Sequence, residues 1–182
     1  MGVSVIIPSQ NDLSHLKKCL KKICDQDVLP SEIILIDSST NNRISEYINK
    51  LRFSANINII FKKINKSYAG KSLNIGISLV KNKYLCFLDT KTYPEKNWIS
   101  FCLDSIKKSK IDVIFGSTYF SANTKFQKLV RAISYGNSLH ETTPGSFMQT
   151  KFFKDKKLLF NEALRSGYDI LWRNYIKKNY IF

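Results

Sequence analysis

The chain has 182 residues, of which 43% are hydrophobic and 13% aromatic, and it carries a formal net charge of +15 at pH 7. This length and composition predict one globular domain with a sizeable core and exclude a disordered chain. Because the longest apolar runs fall far below the ~20 residues of a membrane span, and Met1 to Pro8 is too short for a secretory signal, we expect a cytoplasmic protein.

Strands and helices are predicted to alternate between residues 3 and 116. Short apolar runs predict five buried strands: Val3–Pro8, Glu32–Asp37, Ile57–Phe61, Tyr84–Leu88 and Asp112–Gly116. Apolar residues at helical spacing predict the helices between them: Leu13–Ile23, Ile44–Leu51, Leu73–Val80 and Trp98–Ile106, the last with Pro94 near its first turn. This alternation is typical of an α/β fold with a mostly parallel, doubly wound central sheet flanked by helices.

The pattern changes after Gly116. We expect one more helix over Phe126–Ile133, a loop over Thr142–Gly145, a mixed strand-like segment over Ser146–Phe153 and a closing helix over Tyr168–Ile176. His140 and Glu141 fall in polar sequence and are expected to be solvated, with contact to a substrate as the alternative. No repeat or linker divides the chain, so residues 1–182 are expected to form a single domain, with 117–182 appended to a nucleotide-binding-like half at 1–116.

The cysteines show no metal-ligand spacing. Cys19, Cys24, Cys86 and Cys102 form no CxxC pair, and only two histidines accompany them. We therefore expect small buried thiols in a reducing compartment rather than a structural zinc site.

The lysines are scattered over the polar faces and ends of the predicted helices. A solvated surface explains most of them. The alternative is that the lysines attract an anionic partner, such as a phosphate-rich substrate or lipid headgroups. Under this alternative the protein could bind peripherally to the inner face of an anionic membrane. No nucleic-acid-binding motif accompanies the charge, so nucleic acid is not an expected partner.

Two acids directly follow or end buried strands, Asp37 and Asp89. In open α/β sheets, ligands bind beyond the carboxyl ends of the strands. If their strands flank the point where the strand order reverses, both carboxylates would face one crevice. Helix capping or hydrogen bonding within a loop is the alternative for each acid, and the residues alone leave both interpretations open.

Several segments stand in an order that matches a known family. They are Val3–Asn11, Glu32–Thr40, Gly70–Ile77, Tyr84–Asp89, Pro144–Met148 and Phe160–Leu164. In this order the chain resembles the family 2 glycosyltransferases, whose catalytic domain has the GT-A fold. The resemblance covers nearly the whole chain. It implies that residues 1–116 form a nucleotide-sugar-binding half and residues 117–182 an acceptor half.

The resemblance also implies a donor site along the crevice. A nucleotide-diphosphate sugar would bind there, with Ser9, Asn11 and Asp37 holding the base and ribose. Asp37 suits this role because a carboxylate accepts hydrogen bonds from a base N–H or a ribose hydroxyl. The other residues implied in the donor site are Pro8, Ser38, Lys71, Asn74 and Asp89.

The metal motif of the family, Asp-x-Asp, is altered here to Asp89-Thr90-Lys91. Asp89 remains as a candidate ligand for Mg²⁺ or Mn²⁺, but an ammonium in the second position repels a cation that needs hard oxygen ligands. A lysine can instead stabilise the charge that develops on a leaving nucleoside diphosphate. We therefore expect transfer to be metal-independent, with Lys91 near the diphosphate as a catalytic residue.

The second altered motif concerns the catalytic base. The family places Glu-Asp before a helix that reads Asp-Leu-x-x-Arg, and an acid there removes the proton from the acceptor hydroxyl. Here Ser166 and Gly167 stand in place of the acids, whereas Asp169 and Arg173 match the helix. Asp169 is the candidate substitute base; the alternative is a first-turn acid that only stabilises the helix dipole.

The resemblance implies an inverting glycosyltransferase. It would move a sugar from a nucleotide-diphosphate donor to a saccharide or lipid-linked acceptor, in polysaccharide biosynthesis. The intact donor-side segments favour this enzyme, which is the leading hypothesis. The two altered motifs favour the alternative, a catalytically inactive GT-A module that binds nucleotide or glycan. Fold alone does not decide between them.

Overall fold

The computed structural model describes residues 2–51, 57–134 and 136–180. Its strands are β1 (Val3–Ser9), β2 (Glu32–Asp37), β3 (Asn58–Lys63), β4 (Tyr84–Phe87), β5 (Val113–Thr118) and β6 (His140–Gln149). Its helices are α1 (Leu13–Cys24), α2 (Arg43–Lys50), α3 (Ala69–Leu79), α4 (Trp98–Ser109), α5 (Lys125–Ser134), α6 (Thr150–Asp155) and α7 (Tyr168–Tyr180). The strands form one sheet in the order β3-β2-β1-β4-β6-β5.

The sheet is mostly parallel, as the alternation of strands and helices predicts. β3, β2, β1 and β4 run in the same direction, whereas β6 is antiparallel to both of its neighbours, β4 and β5. The strand order reverses at β1, which lies between β2 and β4. Residues at the ends of these three strands are therefore at the place where an open α/β sheet binds its ligands.

Two apolar clusters cover the two faces of the sheet, because successive strand residues point to opposite sides. On one face, Val5, Ile7 and Leu35 pack with buried residues of α1, α2 and α4. On the other face, Ile6 and Ile34 pack with buried residues of α3, α6 and α7. β1, β2 and β4 are buried on both faces, which explains why they are almost continuously apolar.

Helix α3 lies close to β1 because it carries glycines at the points of contact. A Cβ atom at Gly76 would lie 2.4 Å from Ile6 Cγ2. A Cβ atom at Gly70 would lie 2.6 Å from the carbonyl oxygen of Asn161. Both glycines therefore allow close packing, of α3 on the sheet and of α3 on the segment that follows α6.

The predicted loop over Thr142–Gly145 is wrong, because these residues lie within β6. Proline and glycine are tolerated there by an irregularity in the β5–β6 pairing between Ile114 and Gly116. Gly145 takes a positive φ of 89° at this point.

Two further boundaries differ from the prediction. The strand-like segment Ser146–Phe153 divides at Gln149, where β6 ends and α6 begins. Pro94 precedes α4, which begins at Trp98, so the proline is not in the first helical turn. Among the residues that the structure describes, no helix has both the length and the apolarity to cross a bilayer.

Candidate functional site

Three parallel strands end at one edge of the sheet. Ser9 at the end of β1 is paired with Asp37 at the end of β2, and the Ser38 N–H donates to the Ser9 carbonyl oxygen at 2.9 Å. On the other side of β1, the Leu88 N–H donates to the Ile6 carbonyl oxygen at 3.0 Å, directly before Asp89. Asp37 and Asp89 therefore leave the sheet on opposite sides of β1.

Asp37 is fully buried and only partly satisfied. Its Oδ1 accepts hydrogen bonds from the Ser39 N–H at 3.1 Å and from the Ser39 hydroxyl. Among the described residues, neither Asp37 Oδ2 nor the buried Ser9 Oγ has a hydrogen-bond partner. Because buried polar atoms almost always have partners, these two unsatisfied atoms on paired residues are candidates for hydrogen bonds with a ligand.

Asn11 shapes this edge. It has a positive φ of 53°, and its N–H donates to Ser39 Oγ at 2.7 Å. Its Oδ1 accepts from the Thr40 N–H at 3.2 Å and from Asn41 Nδ2 at 3.1 Å. The side chain of Asn11 thus ties the loop after β1 to the loop after β2. We call Ser9, Asn11, Asp37 and Ser38 the β1–β2 edge.

A cavity of about 330 Å³ lies beside β1, on the side of β4. It is lined by Pro8, Leu73, Phe87, Leu88, Asp89, Thr142, Thr143, Pro144, Arg165, Ser166, Gly167, Tyr168 and Asp169. The cavity therefore brings together Pro8, Asp89 and Asp169. Asp37, Lys71, Asn74 and Lys91 are not among these lining residues of the described chain.

Asp89 is held by its own loop. Its Oδ1 accepts from the Lys91 N–H at 2.9 Å and from Thr92 Oγ1 at 2.8 Å. Thr90 Oγ1 donates to Asp12 Oδ2 at 3.1 Å. The Lys91 side chain is exposed, so the structure fixes its backbone and leaves its ammonium in solvent.

The donor set at Asp89 does not suit a divalent cation held by the protein. In the described parts of the chain, no three His, Cys, Asp or Glu residues group closely enough to hold a metal ion. One oxygen of Asp89 already accepts two hydrogen bonds, and the next charged group in the loop is the Lys91 ammonium. A hard cation needs several oxygen ligands, which can include substrate phosphates and water. Within this loop Asp89 alone would supply a carboxylate, and the Lys91 ammonium would oppose the charge of the ion.

Asp169 belongs to an ion-pair network between α7 and β6. Its Oδ2 accepts from Arg173 Nη1 at 3.0 Å, and the same nitrogen donates to Thr143 Oγ1 at 3.2 Å. Arg173 is only 8% exposed, and its Nε lies 3.5 Å from Glu141 Oε1. Lys177 Nζ lies 2.7 Å from Glu141 Oε2. Glu141 is exposed, as expected, and it also pairs with both cations.

Asn74 and Lys71 have different surroundings on α3. Asn74 Nδ2 donates to the Phe160 carbonyl oxygen and to Glu162 Oε1, each at 2.9 Å, and its Oδ1 accepts from the Phe160 N–H at 2.9 Å. These bonds attach the segment after α6 to α3. Lys71 is exposed in the first turn of the helix.

Tyr168 is a site residue that the sequence patterns did not indicate. It lines the cavity with both Asp89 and Asp169. Burial raises the pKa of its phenol to about 12, and the nearby carboxylates of Asp169 and Asp89 add to the shift. Tyr168 is therefore a neutral hydroxyl group between two acids. In the sequence, only its position directly before Asp169 could have pointed to this role, and that position predicts no more than the start of a helix. Arg165, Thr142 and Thr143 also line the cavity without having been predicted.

Comparisons with known proteins identify the family of the chain. The family described as Glycosyl transferase family 2 matches residues 4–171. The chain is 26% identical over 117 residues to Glycosyltransferase GlyG of Streptococcus pneumoniae serotype 4, covering 64% of this chain and 39% of that protein. It is 21% identical over 192 residues to the poly(ribitol-phosphate) beta-N-acetylglucosaminyltransferase TarS of Staphylococcus aureus, covering 100% of this chain and 34% of TarS.

The solved structures show the same fold. The crystal structure of S. aureus TarS superposes with a TM-score of 0.68 at 21% identity, covering 94% of this chain and 32% of that one. A shorter TarS structure in complex with UDP-GlcNAc superposes with a TM-score of 0.67 at 22% identity, covering 94% of this chain and 52% of that one. The chain thus spans about a third of the full length of TarS.

Proposed function

Because this chain belongs to glycosyl transferase family 2, we propose that it transfers a sugar from a nucleotide-diphosphate donor to a saccharide or lipid-linked acceptor, in polysaccharide biosynthesis. The observation that carries the proposal is the pair of unsatisfied buried atoms, Ser9 Oγ and Asp37 Oδ2. They lie at the switch point of the sheet, where α/β folds bind nucleotides. The UDP and UDP-GlcNAc complexes of TarS support a nucleotide-sugar as the ligand class.

In this proposal the β1–β2 edge binds the nucleoside. Asp37 Oδ2 accepts a hydrogen bond from a base N–H or a ribose hydroxyl, and Ser9 Oγ makes a second bond. Ser38 and Asn11 hold the shape of the edge through their bonds between the two loops. Residues 1–116 then act as the nucleotide-sugar-binding half. Lys71 supplies positive charge near the donor.

The cavity holds the reacting groups. The sugar lies there against Pro8 and Asp89, next to the acceptor residues of 117–182. Asp169 accepts the proton of the acceptor hydroxyl, whose oxygen forms the new bond to the anomeric carbon while the bond to the diphosphate breaks. A single displacement of this kind inverts the anomeric configuration.

Arg173 contributes by orienting the base. Its guanidinium holds one carboxylate oxygen of Asp169 at 3.0 Å, so the other oxygen is the one available to accept a proton. Tyr168, which stays protonated because burial raises its pKa to about 12, can donate a hydrogen bond to the sugar or to either acid.

Lys91 takes the place of a metal in this mechanism. The leaving nucleoside diphosphate gains negative charge, and the Lys91 ammonium, on a long flexible stem, can move to that charge from its exposed position. The replacement of the second acid of the motif by Lys91 supports this assignment. Turnover should then persist in excess EDTA, and a strict requirement for Mg²⁺ or Mn²⁺ would contradict it.

Binding and turnover are tested separately. Thermal unfolding is measured with uridine, guanosine and thymidine diphosphates, with and without Mn²⁺, because a ligand of the native state raises its stability. One of the nucleotides should raise the unfolding temperature, and donor hydrolysis or transfer should follow with the matching sugar. Nucleotide binding without any turnover would favour the inactive GT-A module. No binding to any of the three would contradict a nucleotide site at the β1–β2 edge.

A further inference from the structure

Helix α5 has an apolar face that is largely exposed in the described parts of the chain. None of its residues is buried. Phe126, Leu129, Val130 and Ile133 are 74%, 57%, 41% and 77% exposed. Their spacing of i, i+3, i+4 and i+7 places them on one side of the helix. Most helices in proteins are stabilised by packing such a face, so this one lacks its usual partner.

Hydrogen bonds at its own N-terminus stabilise the helix instead. The Gln127 N–H donates to Thr124 Oγ1 at 3.2 Å. In return, Gln127 Oε1 accepts from the Asn123 N–H at 2.9 Å and the Thr124 N–H at 3.1 Å. This reciprocal arrangement is a capping box, which satisfies backbone donors that the helix itself leaves open. The exposed apolar face is thus presented by a locally stabilised helix.

The surrounding sequence is cationic. Residues 113–140 contain no Asp or Glu, whereas Lys125, Lys128 and Arg131 lie on the helix. Lys125 stands in the first turn, where a cation is unfavourable for the helix dipole. Its charge therefore does not serve the stability of α5, and the three cations flank or oppose the apolar face. The whole chain has a net charge of +15, so the residues outside α5 add to the positive field.

Two more exposed apolar side chains lie in the same β5–β6 connection. Tyr119 is 61% exposed and Leu139 is 66% exposed. An aromatic residue next to such a helix is typical of the boundary between water and lipid. The connection leaves β5 and enters β6 at the edge of the sheet that also carries Asp89, since β5 runs parallel to β4.

We propose that α5 lies flat on an anionic lipid surface, with its apolar face in the acyl boundary and its cations among the phosphates. An amphipathic helix with Lys and Arg on its polar side and large apolar residues on the other binds membranes in this way. The charge argues against a second copy of this chain as the occupant, because two α5 helices face to face would bring six cations together without an acid.

Membrane binding by α5 would bring the cavity close to a lipid-linked acceptor, an inference that rests on the proposed function. Thr142 and Thr143 line the cavity and follow α5 in β6, so a membrane-bound α5 brings the cavity close to the lipid headgroups. An acceptor attached to a lipid would then reach the cavity from the membrane. Binding to vesicles is measured without donor or acceptor, so it fails or succeeds independently of sugar transfer.

The test is co-sedimentation of the full chain with vesicles of phosphatidylcholine alone and of phosphatidylcholine mixed with phosphatidylglycerol. We expect binding to the mixed vesicles only, weakened by added salt. The double variant Phe126→Ser with Ile133→Ser should reduce the partition coefficient by about tenfold or more, because two large apolar groups no longer enter the lipid. Lys125→Gln with Lys128→Gln should reduce it roughly fivefold per charge.

Matched controls come from α4. Phe101 on that helix is 61% exposed, and Phe101→Ser should leave vesicle binding unchanged, as should Lys107→Gln with Lys108→Gln, which removes the same charge. Circular dichroism verifies that each variant is folded, and the α5 changes are at exposed positions. Equal loss in the α4 and α5 variants would overturn the proposal, as would absence of binding to anionic vesicles. Self-association abolished by the α5 variants, without vesicle binding, would assign the face to a second copy and overturn it as well.

Discussion

The acids of the β1–β2 edge and of the cavity differ in how fully their carboxylates are hydrogen-bonded. At the edge, one oxygen of the fully buried Asp37 has no partner within the described chain. At the cavity, Asp169 is paired with Arg173 at 3.0 Å and Asp89 with its own loop. An unsatisfied buried acceptor is a candidate for a hydrogen bond from a ligand, whereas a paired acid is held in one orientation. The first arrangement favours affinity and the second favours positioning for a reaction.

The largest effect expected is on turnover in Asp169→Asn. The amide still accepts a hydrogen bond from Arg173 but no longer takes a proton, so kcat should fall by roughly 10²–10⁴ while nucleotide affinity stays the same. Steady-state kinetics and thermal shift measure the two quantities. Asp155→Asn, at an exposed acid of α6, is the control. Unchanged turnover would show that Asp169 serves only as the ion-pair partner of Arg173 within α7.

The next effect is on nucleotide affinity in Asp37→Asn. The amide loses the charged acceptor at Oδ2, and a hydrogen bond to a charged group is worth ~1.5–3 kcal/mol, so the Kd should rise about tenfold or more. The free energy of unfolding should not fall, because a buried and half-satisfied charge is removed. Calorimetric titration and chemical unfolding test both, with Asp104→Asn on α4 as the control. A loss of stability without a change in Kd would assign Asp37 to the loop alone.

Variants at Asn74 and Lys71 distinguish the residues of α3 that stabilise the fold from those that bind nucleotide. Asn74→Ala removes three hydrogen bonds to the segment after α6 and should lower the free energy of unfolding by about 2 kcal/mol, with little change in Kd. Lys71→Ala should leave stability unchanged and weaken nucleotide binding. The same pair of measurements serves both variants. The reverse outcome would place Asn74 at the donor, as the family resemblance implies.

The last effect expected, which has no consequence at neutral pH, is the pH dependence of the free energy of unfolding through Tyr168. Its pKa is raised to about 12 in the folded protein, against ~10 in the unfolded chain. Between these values the unfolded state has lost the proton and the folded state keeps it, so stability falls as pH rises, by about 1.4 kcal/mol per pH unit. Below the lower value the contribution is constant. Tyr168→Phe should flatten this part of the stability curve and leave the neutral part unchanged. An identical slope in both proteins would contradict the shift.

Much of the fold could be predicted from the sequence because the apolar periodicity is local. The runs at β1, β2 and β4 are buried on both faces and therefore apolar throughout, which identifies them as central strands of a parallel sheet. Three of the four cysteines agree with the prediction of buried thiols: Cys19, Cys86 and Cys102 are free and buried, whereas Cys24 is free and only partly buried. The resemblance to family 2 glycosyltransferases is confirmed by the family match over residues 4–171.

Other features depended on partners that are distant in the chain. The strand through Thr142–Gly145 is held by pairing with β5, which overrides the turn preference of Pro144 and Gly145. Glu141 is polar in sequence, yet in the structure it pairs with Arg173 and Lys177. Tyr168 joins the cavity only because α7 packs where β4 ends.

The sequence by itself determined the strand and helix order up to β5, the central core and the family, because these depend on residue periodicity and on motifs within one segment. Only the tertiary structure decided that Asp169 and Asp89 share a cavity without Asp37, and that α5 presents its apolar face to solvent. The reason is physical: burial, ion pairing and hydrogen-bond satisfaction are set by residues that meet in space, and their spacing along the chain does not encode them.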